Sequence, residues 1–246
     1  MGTDIHCCIE RRNATGAWEV VELPPELRSP WYVEQSGKSP DDGWYATHMR
    51  YQPYDGRNYD LFAVLADVRN GSGFAGCVTG ERITPISEPR GFPEDLSPTV
   101  RAWAEDRDDL SDEERDAMLW MGDHSFSWVT LAELLAYPWD SPHVKVGVIP
   151  LDKFAKRVAA SDDSQPSDWC GWISGQKIVV FQDAEARAQL ASGGIVAPEG
   201  AEVHVQTSWT QPLATHSGDF VTRVVAGMKT LHPDPNCVRL VFGFDS

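Results

Sequence analysis

The stretch that decides the fold is Thr3-Asp4-Ile5-His6-Cys7-Cys8-Ile9-Glu10, close to the beginning of the chain. Successive side chains of a β-strand point to opposite faces, and this stretch alternates in that way. One face is apolar and is expected to enter a core: Ile5, Cys7 and Ile9. The other face carries two carboxylates, an imidazole and a thiol: Asp4, His6, Cys8 and Glu10. The pattern predicts a strand inside a sheet, because an edge strand usually carries a proline or an inward charge.

A second apolar alternation, over residues 238–245, predicts another strand of the same sheet. Residues 3–22 are expected to form a β-hairpin, because residues 13–16 are a short loop that ends in glycine. Antiparallel hairpins mixed with helical segments are typical of α+β proteins. We therefore predict an α+β fold whose mainly antiparallel sheet contains both the N- and C-terminal strands, with packed helices and long loops.

Two segments are expected to be irregular. Residues 24–56 are rich in proline, glycine, serine and aromatic residues without a clear period, which predicts a long loop. Residues 161–167 are polar and contain a proline, which predicts a flexible loop. Capping residues predict helices that begin near Asn58, near Ser111 and near Thr130, the second of them reaching about residue 120.

Length and composition limit the class of protein. The 246 residues, 41% of them apolar and 24% charged, predict a single α+β domain over residues 1–246, with room for a sizeable insertion. A net charge of −16 disfavours binding to duplex nucleic acid, because the phosphates would be repelled. Five scattered cysteines without CxxC spacing predict reduced thiols in a cytoplasm. The absence of a long apolar run predicts no membrane span, and the oligomeric state stays open.

A second concentration of polar side chains lies in Gly122-Asp123-His124-Ser125-Phe126-Ser127-Trp128-Val129. These residues exceed what a single helix cap needs, although such residues also serve turns and caps. We expect Asp123 and His124 to meet Asp4 and His6 in one pocket, because a polar face that points into a domain needs partners or a ligand.

Several sequence blocks resemble an uncharacterised family found in bacteriophages and prophages. The first and the fourth of these are Gly2-x-Asp4-Ile5-His6-x-x-x-Glu10 and Gly122-Asp123-His124-Ser125-x-Ser127-Trp128. The others lie in residues 58–71, 85–91 and 238–242, so the resemblance spans the whole chain. It brings no established activity. It implies a viral setting in the cytoplasm of an infected bacterium, where small proteins often handle nucleotides or disarm host defences that signal through them.

One functional hypothesis is a metal-dependent hydrolase of phosphodiesterase type. Carboxylates and imidazoles hold divalent cations and lower the pKa of the bound water. The catalytic candidates are Asp4, His6, Asp123 and His124, with Asp4, His6 and His124 as metal ligands. Their spacing matches no metalloenzyme signature, and a G-x-S-x-G motif for a serine nucleophile is absent.

The competing hypothesis is a protein that binds a small anionic ligand of nucleotide type and sequesters it. Arg69, Asn70 and Arg90 are expected to grip phosphates, and a rigid proline-rich loop presents Glu88 beside Arg90. Ser125, Ser127 and the ring of Trp128 complete the predicted ligand set, with Trp44 and Phe74 as further stacking candidates. We rank capture slightly above hydrolysis. An acidic protein that blocks a host enzyme ranks third, because it leaves the inward polar residues unexplained.

Overall fold

The computed structural model of the protein describes residues 2–38, 42–73, 76–105 and 111–246. The chain divides into two compact units. The first unit comprises Met1–Val68, Thr84–Pro138 and Ser217–Ser246, and the second comprises Arg69–Ile83 and Trp139–His216. The prediction of a single domain over residues 1–246 stays a prediction, because two compact units can belong to one domain.

The sheet of the first unit has four strands, in the order β2-β1-β7-β3. They are β1 (Asp4–Arg12), β2 (Trp18–Val20), β3 (His124–Thr130) and β7 (Val238–Asp245). All three pairs of neighbours are antiparallel. The predicted α+β class is confirmed, as are the hairpin and the placement of the terminal strands side by side.

Strand β1 lies inside this sheet and is buried on both faces. The first face carries Ile5, Cys7 and Ile9, each at most 1% exposed, which confirms the predicted core face. Phe244 of β7 lies on the same face and contacts Phe62 with a distance of 5.0 Å between ring centroids. The second face is also a core, because Cys8 and Val241 pack against apolar side chains of residues 96–121. Any polar side chain on that face therefore needs a partner inside the protein.

One polar group on the second face is completely satisfied. The carboxylate of Glu10 accepts hydrogen bonds from Nε of Arg239 at 2.8 Å and from the backbone N–H of Ser97 at 2.8 Å. Nη1 of Arg239 contacts Asp95 at 2.6 Å, and its guanidinium lies 4.0 Å from the ring centroid of Trp18. This buried network fixes the register of β1 against β7.

Helices cover the sheets in both units. The helices of the first unit are α1 (Pro30–Gln35), α2 (Asp42–Tyr51), α3 (Tyr59–Ala66), α4 (Pro98–Ala104), α5 (Asp112–Asp116), α6 (Leu131–Ala136) and α10 (Ala226–Met228). Those of the second unit are α7 (Leu151–Ala160), α8 (Asp183–Ala191) and α9 (Leu213–His216). A π-helical turn, Phe220–Val225, precedes α10, and two 3₁₀ turns span Pro25–Leu27 and Pro235–Cys237.

The prediction of one long loop over residues 24–56 is wrong, since α1 and α2 lie within it. Both helices are short and are held by aromatic packing, which local periodicity does not reveal. The ring of Tyr32 on α1 contacts the rings of Trp44 and His48 on α2, at 5.8 and 5.0 Å. The predicted caps at Asn58, Ser111 and Thr130 are confirmed. The helix after Ser111 is shorter than predicted, because α5 ends at residue 116.

The second unit contains a sheet of order β4-β6-β5. Its strands are β4 (Pro142–Pro150), β5 (Ile178–Gln182) and β6 (Glu202–Pro212). Helices α7 and α8 contribute Phe154 and Ala186 to a core with Ile149, Phe181 and Val205. Residues 161–167 form an irregular connection after α7, and their flexibility stays a prediction. Among the described residues, no helix is long and apolar enough to cross a membrane.

Candidate functional site

The two histidines that were expected to share a pocket lie on opposite faces of the sheet. In the strand register, His6 pairs with Gly243, whereas His124 pairs with Phe244. Gly243 and Phe244 are consecutive residues of β7, so they face opposite sides of the sheet, and the side chains of their partners His6 and His124 do so too. The ring of His124 accordingly stacks on that of Phe244. The two imidazoles therefore do not share a face, and the expectation of both in one pocket relied on sequence blocks without a register. Asp4 and Asp123, however, both lie close enough to His6 to raise its pKa, so the grouping of Asp4, His6 and Asp123 stays a prediction.

His124 makes contacts through both ring nitrogens. Nδ1 lies 2.9 Å from Oγ of Ser125, and Nε2 lies 2.9 Å from Oγ of Ser246. The nearest carboxylate oxygen, on Asp123, is 3.9 Å from Nε2. Ser125 has a φ of +51°, a conformation that non-glycine residues seldom adopt. The two hydroxyl partners therefore satisfy the imidazole of His124 within the fold.

Asp4 is engaged by an arginine that the sequence did not indicate. Its carboxylate accepts hydrogen bonds from Nε and Nη2 of Arg57 at 2.7 and 2.5 Å. The guanidinium holds the pKa of Asp4 below its usual value. Across residues 2–38, 42–73, 76–105 and 111–246, no group of three or more His, Cys, Asp or Glu side chains is arranged to hold a metal ion. The predicted set of Asp4, His6 and His124 is accordingly not such a group.

Three predicted ligand-binding residues are bound to one another. Nη2 of Arg90 contacts Oε1 of Glu133 at 2.6 Å, and its guanidinium lies 5.1 Å from the ring centroid of Trp128. The backbone N–H of Arg90 donates to Oγ of Ser127 at 3.1 Å. Glu133 also completes the capping box with Thr130. These contacts give Arg90, Ser127 and Trp128 a structural role, and their ligand-binding role stays a prediction.

The remaining candidates are spread over both units. Asn70, in the second unit, exchanges two hydrogen bonds of 2.7 Å with the backbone of Ile83 and so closes a loop. Arg69 belongs to the same unit and has a φ of +56°. Glu88 is an exposed residue of the first unit. Phe74 lies outside the described residues. Ligand contacts of these residues stay predictions.

The strongest chemical feature of the first unit is a group that we call the histidine cluster. It consists of three buried hydrogen-bonding side chains and the aromatic rings beside them. The hydrogen-bonding side chains are those of His6, His48 and Gln52, and the rings are those of Tyr32, Trp44 and Trp120. Trp120, which follows α5, contacts His6 on β1, Tyr32 and Trp44 contact His48 on α2, and Gln52 bonds to the backbone of Ile5, the neighbour of His6. His6 lies close enough to His48 to contribute to the lowering of its pKa.

His48 is completely buried on α2. Its ring stacks on Trp44 at 3.7 Å and lies 5.0 Å from Tyr32, in both cases between centroids. Nδ1 lies 2.8 Å from the backbone carbonyl oxygen of Trp44, whereas Nε2 has no hydrogen-bond partner. Burial lowers the pKa of His48 to about 4, so the ring is neutral at pH 7.

His6 lies on the second face of β1 and is 8% exposed. Its ring packs against Trp120 with centroids 4.5 Å apart, and Trp120 itself is 48% exposed. Nε2 lies 3.6 Å from Oδ2 of Asp245, which is too long for a hydrogen bond, and neither ring nitrogen has a hydrogen-bond partner. Burial lowers the pKa of His6, and the charge of Asp245 opposes this effect.

Gln52 joins α2 to β1 and is 1% exposed. Its amide nitrogen donates to the carbonyl oxygens of Ile5 at 3.1 Å and of Tyr54 at 3.2 Å. Its own carbonyl oxygen, Oε1, has no partner. Gln52 and His48 were not among the predicted site residues, because residues 24–56 were predicted to form a loop. The His48 to Gln52 spacing of four residues, one helical turn, was the available signal.

The comparisons with known proteins add no relative. No protein-family model, no curated protein and no solved structure matches the chain.

Proposed function

We propose that the protein captures a small ligand of nucleotide type at the histidine cluster. The supporting observation is that His6 is buried with both ring nitrogens unpaired while it packs against the half-exposed ring of Trp120. Buried polar groups in proteins are nearly always hydrogen-bonded, and exceptions frequently mark functional sites. A base that stacks on an indole ring and hydrogen-bonds to an imidazole would use both features.

The phosphate of such a ligand would remain near the surface. Arg57 pairs with Asp4 at this end of β1, and its side chain is 56% exposed. The ion pair with Asp4 uses Nε and Nη2 and does not involve Nη1. Asp4 offsets the positive charge of the pair, so we expect the base rather than the phosphate to supply most of the affinity.

Capture is preferred over metal-dependent hydrolysis, because aromatic rings and neutral hydrogen-bonding groups suffice for binding. The hydrolase hypothesis required Asp4, His6, Asp123 and His124 to act together, and the two histidines lie on opposite faces.

The viral setting, the cytoplasm of an infected bacterium and the sequestration of a host defence signal belong to the proposal and rest on the sequence resemblance. The acidic surface, with a net charge of −16, is the basis of the third hypothesis, a blocker of a host enzyme.

The decisive experiment incubates the purified protein with a panel of cyclic and linear nucleotides. Each mixture is separated by chromatography before and after heat denaturation. Intact nucleotide that is released only by heat supports capture, whereas a chemically altered nucleotide supports hydrolysis. If no nucleotide is retained or altered, the proposed function is wrong.

A pair of tryptophan variants localises the site. Trp120→Ala is expected to weaken nucleotide binding about tenfold, the scale of one lost stacking contact. Trp172→Ala is the matched control, because its side chain is 53% exposed in the second unit and lies outside the cluster. Equal losses in both variants would place the ligand elsewhere.

A further inference from the structure

The free nitrogen of His48 is a hydrogen-bond acceptor. The backbone oxygen of Trp44 can only accept, so the nitrogen that contacts it, Nδ1, must carry the proton. A neutral imidazole has one N–H, which leaves a lone pair on Nε2. That lone pair is buried and has no donor.

The free atom of Gln52 is an acceptor as well. Both contacts of its amide group are with carbonyl oxygens, those of Ile5 and Tyr54. The amide nitrogen must therefore face them, since a flipped amide would turn its own oxygen towards both carbonyl oxygens. Both N–H groups are then used, and the buried Oε1 needs a donor.

His6 adds a third acceptor. Oδ2 of Asp245 lies 3.6 Å from Nε2, and a nearby carboxylate favours the tautomer with its proton on that nitrogen. Nδ1 then carries a lone pair, and it too is buried without a partner. A group with N–H donors would satisfy these acceptors, whereas a carbonyl or phosphate oxygen would oppose them.

We infer that the histidine cluster recognises an N–H-donating group of its ligand, namely the exocyclic amino group of a nucleobase such as adenine or cytosine. The inference rests on the proposed function and deepens it. An amino group supplies two donors, and the flat ring that carries it stacks on Trp120. A ligand with a carbonyl oxygen in place of the amino group would leave buried acceptors unpaired and opposed, which is strongly unfavourable.

The test compares nucleotides with and without this amino group. Titration calorimetry measures the binding of AMP against purine riboside 5′-monophosphate and of CMP against pyrimidin-2-one riboside 5′-monophosphate, in each of which hydrogen replaces the amino group. Benzamidine is included as an amidine that has N–H donors and no phosphate. Wild-type protein is expected to bind AMP, or CMP, at least about tenfold more tightly than the partner that lacks the amino group. His48→Asn keeps a donor for the carbonyl of Trp44 and has no acceptor at the position of Nε2, so it is expected to bring the preference below about threefold. His232→Asn, outside the cluster, is the matched control and keeps the preference.

The outcomes separate this inference from the proposed function. If nucleotides bind but the members of each pair with and without the amino group bind equally, the donor inference is wrong and capture stands. If only benzamidine binds, and His48→Asn weakens it, the donor inference stands and the nucleotide proposal is wrong. If no probe binds, both are wrong and the acceptors serve only buried water. The comparison of nucleotide pairs uses wild-type protein, so it decides the matter even if a variant does not fold.

Discussion

The burial of His48 predicts a loss of stability in mild acid. The pKa of its imidazole is about 4 in the folded protein, against 6.5 for an ordinary histidine. Between these pH values the unfolded chain binds the proton and the folded protein does not. Protonation therefore favours unfolding, and stability falls as the pH decreases from about 6.5 to about 4.

The size of the effect follows from the same two pKa values. The complete loss is about 3 kcal/mol, reached near pH 4, and about 1 kcal/mol is already lost at pH 5.5. His6 changes stability in the same direction, because burial lowers its pKa as well. The lowered pKa values of Asp4, Asp95 and Glu133 act in the same direction from about pH 4.5 downwards, so they overlap only the acidic end of this window.

Urea denaturation followed by circular dichroism at pH 7.5, 6.5, 5.5 and 4.5 measures this dependence. The wild-type protein should lose stability mainly below pH 6.5, and His48→Asn should reduce the slope, since asparagine does not titrate. The double variant with His6→Asn should be flatter still. An unchanged slope in the double variant would refute the reasoning, because the pH dependence would then arise from other groups.

Two further predictions concern the fold. Glu10→Gln should lower the free energy of unfolding by about 3 kcal/mol, because it removes the buried carboxylate that pairs with Arg239 and leaves that arginine only the more exposed carboxylate of Asp95. Glu19→Gln, in an exposed ion pair, should cost less than about 1 kcal/mol. Equal costs measured by urea denaturation would contradict the assigned role of the buried network. Gly122→Ala should lower the free energy of unfolding by at least about 2 kcal/mol, since Gly122 has a φ of +85° and an added Cβ would lie 2.5 Å from the carbonyl oxygen of Phe244. Gly16→Ala, with a similar φ in open space, is the control that isolates backbone strain. A control as destabilised as Gly122→Ala would show that the close approach is unimportant.

The sheet was predictable because its signals are local. Alternation in residues 3–10 and 238–245 specified two strands, and the short loop before Trp18 specified the hairpin. Pairing of the two terminal strands followed from their shared apolar pattern. Helices with a capping residue, such as the one after Asn58, were equally accessible, because the cap and the apolar spacing occur within a few residues.

The candidate site was not predictable in the same way. Asp4 and His6 were correctly placed on one strand, but the partner of Asp4 is Arg57, which no spacing rule connects to it. His48 entered the site only because aromatic packing turned an apparent loop into helix α2. The decisive property, an unpaired acceptor, depends on where every neighbouring donor lies, and that information exists only in three dimensions.

The second face of β1 offers a comparison for the unpaired groups of the histidine cluster. Glu10 and His6 lie four residues apart on that face, and both are buried. The fold supplies Glu10 with an arginine and a backbone N–H, so every oxygen of its carboxylate has a donor. It supplies His6 with no hydrogen bond at all, and it leaves His48 and Gln52 one acceptor each. A protein that satisfies a charged side chain so completely at one end of a strand can do the same for a neutral ring at the other. Under the proposed function, the missing donors arrive with a ligand.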